Sequence, residues 1–83
     1  MISQRLNEVL QQVRPETSVP IIVEVAGDPA QAAGVLRSAG MSIKYVSKTL
    51  PLIYGSGNSA VIQAINSQGF VSKIDYDEPT YAL

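Results

Sequence analysis

The sequence predicts an α+β domain in which a four-stranded antiparallel sheet carries its helices on one face. Three observations predict it. Short β-branched runs bounded by Gly and Pro alternate with runs whose apolar residues recur at helical spacing. These segments come in the order helix, then β-α-β-β-α-β. A chain of 83 residues accommodates one domain with one small core.

Ile2, Leu6, Val9, Leu10 and Val13 recur at helical spacing, with Gln4, Arg5, Asn7, Glu8, Gln11 and Gln12 between them. The pattern predicts an amphipathic helix ending before Pro15 and a connector running to Ser18. Residues 1–18 are thus a lead-in, and the helix is either core cover or a dimer contact. Pro20 then opens Ile21-Ile22-Val23-Glu24-Val25, a β-branched strand that stops at Ala26-Gly27. Asp28-Pro29 starts a second helix, because Asp accepts from free amides and Pro at the first helical position has no amide to lose. Ala32, Ala33, Val35, Leu36 and Ala39 form its apolar side, and Gly40 suits a left-handed C-terminal cap.

Residues 42–48 read as a second strand with Ile43 and Tyr45 on one face, and residues 50–54 as a third. Gly55-Ser56-Gly57-Asn58 reads as a turn. Asn58 or Ser59 then caps a helix built on Val61, Ile62, Ala64 and Ile65, which Gly69 ends. Residues 70–76 form the fourth strand. Alternation puts Phe70, Ile74 and Tyr76 toward the helices and Asp75 and Asp77 on the opposite face. Residues 19–78 make up the α+β domain. Residues 79–83 are a tail, since Pro79 lacks the amide that would extend the strand. This is the ferredoxin-like plan. Right-handed crossovers put both crossover helices on one face and leave the other bare.

Composition excludes several functions. There is no cysteine and no histidine, so Ser-His and Cys-His nucleophilic pairs are absent, as are thiolate and imidazole ligands for zinc. An enzyme is not expected, nor a cofactor or metal. The net charge is −1 and the six Lys and Arg are scattered, which argues against nucleic acid. No apolar run approaches a membrane span. Met1–Val13 interleaves polar residues too densely for a secretory leader, so the chain is expected to be made inside the cell or to be an excised piece of a longer precursor. Gly55–Asn58 lacks the Gly-Lys-Ser/Thr ending of a phosphate loop. Tyr45, Tyr54 and Tyr76 lack the Lys/Arg-Gly-Phe context of an RNA-binding sheet. The spacing of Glu24, Asp75, Asp77 and Glu78 is not diagnostic of a metal or acid-base pair.

What remains is a docking module. Carboxylates stabilise helix N-termini by about 0.3–1 kcal/mol each, so two outward carboxylates two residues apart are suited to capping two helices of a partner. An extended apolar tail is suited to strand addition in a protease cleft.

The stretch Ile74-Asp75-Tyr76-Asp77, followed by Glu78-Pro79-Thr80-Tyr81-Ala82-Leu83, resembles the end of subtilisin propeptides. In that family a final strand reading aliphatic, acidic, any, acidic precedes a short tail that ends at the processing site. The resemblance covers about Ile21 to Leu83. It implies an inhibitor, and an intramolecular chaperone, of a subtilisin-like serine protease acting in cis or in trans. It also implies that the free domain is a monomer. Asp75 and Asp77 would cap two surface helices of the protease. Leu83 would fill the first specificity pocket, with Ala82, Tyr81 and Thr80 in the next three, as a product-like inhibitor. Thr80 is small for the fourth pocket, and the first helix lies outside the minimal family pattern. The location implied is extracellular for a piece of a secreted precursor and cytoplasmic for a free-standing inhibitor. Two other readings stay open: a small-molecule-sensing regulatory domain of the ACT-like kind, with Asp28 or Gly55–Asn58 at a polar pocket, and a plain protein-interaction module.

Overall fold

The computed structural model describes residues 1–78. Seven elements follow one another: α1 (Gln4–Gln12), β1 (Val19–Val25), α2 (Pro29–Ser38), β2 (Ser42–Val46), β3 (Leu52–Gly57), α3 (Ser59–Asn66) and β4 (Val71–Tyr76). They form a small α+β unit with one four-stranded sheet in the order β2-β3-β1-β4. All three pairings are antiparallel, and β1 lies between β3 and β4.

The core follows from the alternation in the strands. Val19, Ile21, Val23 and Val25 of β1 are buried, as are Ile53 of β3 and Val71 and Ile74 of β4. The helices meet them with Leu6 from α1, Ala32, Ala33 and Leu36 from α2, and Ile62 and Ile65 from α3, all in one cluster. Each fully buried Leu or Ile contributes about 1.5–3 kcal/mol. Among the described residues no polar or charged residue is buried. The lead-in helix is therefore core cover, with Leu6 fully sealed.

The helix starts follow the caps that the sequence offers. Ser3 Oγ accepts from the Leu6 N–H, Asp28 Oδ1 from Ala30 at 3.1 Å, and Asn58 Oδ1 from Val61 at 3.0 Å. Gly40, at φ +107°, turns the chain out of α2 while Met41 N–H bonds back to Leu36 at 3.1 Å.

Several boundaries differ from the sequence pattern for identifiable reasons. Gly55-Ser56-Gly57 is not a turn but the second half of β3. A Cβ at Gly55 would collide with the main-chain oxygen of Ser42, so glycine here permits the close approach of β2 rather than a reversal. A register shift between Ile43 and Tyr45 sets Lys44 aside as a bulge. Tyr45 therefore does not share a face with Ile43: it lies opposite Tyr54, whereas Ile43 lies opposite Gly55. A second shift, between Glu24 and Val25, pairs Val25 with Val71 and skips Ser72. Val71 thus takes the inward place next to Ile74. Phe70 precedes the strand and packs at the margin of the core, beside Ala32 and Val35 of α2. α3 ends before Ser67, ahead of Gly69.

The N-terminus departs most from the sequence pattern. Ile2 is not helical but bridges in parallel to Ile74. Ile74 N–H donates to the Met1 carbonyl at 2.8 Å, and Ser3 N–H to the Ile74 carbonyl at 2.9 Å. This covers part of the β4 edge, which would otherwise expose unpaired amides.

Candidate functional site: the helix-free sheet face

The residues between the buried ones point to the face that carries no helix. Register pairing sets Tyr45, Tyr54, Ile22 and Asp75 in one row across β2, β3, β1 and β4. One neighbouring row is Leu52, Glu24 and Lys73. The other is Ser42, Ser56 and Pro20, continued by Asp77, whose N–H donates to the Pro20 carbonyl at 3.0 Å. The face thus grades from aromatic at β2 and β3 to charged at β4. Tyr45 is 53 % exposed, and its ring centroid lies 5.9 Å from that of Tyr54 in a tilted pair.

Asp75 and Asp77 both belong to this face, as alternation requires, and neither lies under the molecule's own helices. Each opens onto a shallow depression. Asp75 shares one of about 230 Å³ with Ile22, Glu24, Leu52 and Lys73. Asp77 shares one of about 310 Å³ with Lys44, Tyr45, Ser47 and Tyr54.

The two carboxylates differ in their surroundings. Asp75 Oδ1 accepts from Ser3 Oγ at 2.7 Å and from the Tyr76 N–H at 2.8 Å, and Oδ2 lies 3.7 Å from Lys73 Nζ. The Ser3 hydrogen bond, followed by the Tyr76 amide and the Lys73 charge, holds the Asp75 carboxyl below its ordinary value, against partial desolvation. Among the described residues, the Asp77 side chain makes no hydrogen bond or ion pair. One residue further on, Glu78 Oε1 accepts from Arg5 Nε at 2.9 Å and lies 2.7 Å from Arg5 Nη2. The Arg5 guanidinium carbon lies 5.7 Å from the Tyr76 ring centroid.

The tail residues Thr80, Tyr81, Ala82 and Leu83, assigned above to a protease cleft, lie outside the described residues. The sequence pattern missed the engagement of Asp75 by Ser3. A local signal for the cap alone was present, since Ser3 is a capping residue type three positions before Leu6. Its partner lies 72 positions away, beyond any local pattern.

A larger concavity, of about 630 Å³, lies elsewhere among the described residues, between the start of α2 and the β2–β3 connection, lined by Gly27–Ala30 and Val46–Pro51. Asp28 borders it, but its Oδ1 is engaged with the Ala30 amide. Gly55–Asn58 do not line it. Among the described residues no group of three potential metal ligands converges, and no helix is long and apolar enough to cross a membrane.

No protein-family model matches the chain, and no curated protein matches it.

Proposed function

We propose that this chain is a docking inhibitor of the subtilisin-propeptide type. Its helix-free sheet face binds a subtilisin-like serine protease, and residues 80–83 occupy the cleft as a cleaved product would. The observation that carries the reading is the open face itself, with two tyrosines toward its β2–β3 side and two carboxylates, one on β4 and one just past it, each lining its own depression. Two carboxylates in that arrangement complement two helix N-termini, whose free amides carry partial positive charge. The strand order β2-β3-β1-β4, read from the other edge as β4-β1-β3-β2, supports the ferredoxin-like plan that the resemblance requires. The same face would present a preformed template to a folding protease, which is the physical basis for a chaperone role.

The test is inhibition of a subtilisin by the purified chain. Potency should fall more than about tenfold when residues 81–83 are removed, a loss above 1.4 kcal/mol. Asp75→Ala and Asp77→Ala should each weaken inhibition by about two- to fivefold, the equivalent of one carboxylate at a helix N-terminus. Undiminished potency in the shortened chain rejects the cleft mechanism. A small-molecule-sensing module of the same plan is the competing reading, favoured by the concavity beside Asp28. Thermal stabilisation by an amino acid, with no protease inhibition, would replace the first reading with it.

A further inference from the structure

The segment leading into α1, residues 1–3, grips the acidic end of β4. The parallel bridge between Ile2 and Ile74, with its two main-chain hydrogen bonds, fixes the backbone of Ser3 beside β4. The placement of Ser3 therefore does not depend on a flexible side chain. Its hydroxyl has two functions: it accepts from the Leu6 N–H at 3.1 Å as helix cap, and it donates to Asp75 Oδ1 at 2.7 Å. That second bond is short and charge-assisted, which makes it the stronger kind. Tyr76 N–H donates to the same oxygen at 2.8 Å. Two donors on Oδ1 fix the rotation of the carboxylate. Oδ2 is the oxygen left over, 3.7 Å from the Nζ of Lys73, another residue of the same depression.

We propose that Ser3 is a positioning residue for docking: it locks the Asp75 carboxylate so that Oδ2 meets the N-terminal amides of a partner helix. The N-cap of α1 is then a working part of the interface rather than a lead-in to it. A carboxylate held before binding loses less rotamer freedom on docking, which is the general source of gain from preorganisation. Asp77, without such a brace among the described residues, is ordered by the partner instead.

This inference rests on the protease-docking reading, and the experiment separates the two. Inhibition constants for a subtilisin are measured with the full chain carrying Ser3→Ala, Ser3→Thr and Ser3→Asp, each in the native and the Asp75→Ala backgrounds. Ser3→Ala should weaken inhibition about two- to fivefold, and Ser3→Thr, which keeps the hydroxyl, should restore it. Ser3→Asp keeps a cap acceptor for α1 but offers no donor and sets a like charge beside Asp75, so it should weaken inhibition at least as much as Ser3→Ala. All of these differences should vanish in the Asp75→Ala background, since coupled residues do not add. A role confined to capping α1 gives the opposite result: Ser3→Asp stays potent, and the Ser3→Ala loss persists without Asp75. That result overturns the positioning role and leaves the docking reading standing. A native chain that inhibits no subtilisin overturns both.

Discussion

On β1, Ile21 and Val23 are fully sealed beneath the helices, while Ile22 between them is half-buried on the helix-free face, flanked by Tyr54 and Asp75. The same contrast runs through the sheet. Ile53 is buried and Tyr54 is not; Ile74 is buried and Asp75 keeps 42 % of its side chain exposed. The inner face is apolar throughout, and the outer face mixes Pro20, Ile22, Leu52 and two tyrosines with Glu24, Lys73, Asp75 and Asp77. Strand alternation lets one backbone serve two surfaces, so a substitution can be directed to one of them. Inner-face changes should register in stability, and outer-face changes in binding.

The largest effect tests the inner face. Ile74→Ala removes a side chain with no exposure, on the strand that anchors both β1 and the N-terminal bridge. It should cost about 2–5 kcal/mol, a large share of the stability of so small a domain. Chemical denaturation measures this. A loss under about 1 kcal/mol would mean that the core tolerates change at β4, and the contrast between the faces would fail there.

Next is a position that belongs to the backbone rather than to either face. Gly55→Ala sets a methyl group against the Ser42 carbonyl and the end of Met41. β2 must shift or the pairing must open, at a cost of about 1–3 kcal/mol. Hydrogen exchange of the β2–β3 amides should rise in the variant. A neutral effect would show that the Lys44 bulge lets β2 move freely.

Asp75 lies between the two regimes, as an outer-face residue bonded to α1. Its carboxyl is held below the ordinary value of 3.8. The stabilisation this provides is complete above that value. It is lost as pH falls through the lower folded value, when the carboxylate is protonated. Acid unfolding followed by circular dichroism should therefore start at a lower stability in Asp75→Asn, with less further loss between about pH 4 and 2. With Ser3 replaced by alanine, the Asp75 carboxyl should titrate higher, nearer its ordinary value, as read by NMR. An unchanged titration would remove Ser3 as the main cause.

The parts of this fold that the sequence makes legible are those encoded within a few residues. Asp28-Pro29, Asn58 and Gly40 each carry their own capping chemistry, and the helices start or stop where they stand. The outward placement of Asp75 and Asp77 was also legible, since it needs only alternation counted from Ile74. What was not legible depends on a second strand. Tyr45 changes face because Lys44 bulges against β3, and Val71 displaces Phe70 because Ser72 bulges against β1. The glycines of β3 read as a turn until the approach of Ser42 explains them. The brace from Ser3 to Asp75 spans nearly the whole chain, and no local pattern encodes it.

The smallest effect on stability, and the cleanest division between the faces, is expected at Asp77. It lies on the same face as Asp75, two residues further along the chain and just past the end of β4, but among the described residues its side chain has no partner. Asp77→Ala should leave the unfolding midpoint within about 0.5 kcal/mol of the native chain, as for surface changes remote from caps and networks. Its backbone N–H bond to Pro20 does not involve the side chain and should survive. Under the proposed docking function, inhibition of a subtilisin should nevertheless weaken by about two- to fivefold. The loss should shrink as salt is raised, since a carboxylate over an open depression is screened. Asp75→Ala, in contrast, should lose both stability and potency. If Asp77→Ala proves as destabilising as Asp75→Ala, then Asp77 is bound into the fold by contacts beyond residue 78. The outer face would then serve the chain's own terminus rather than a partner.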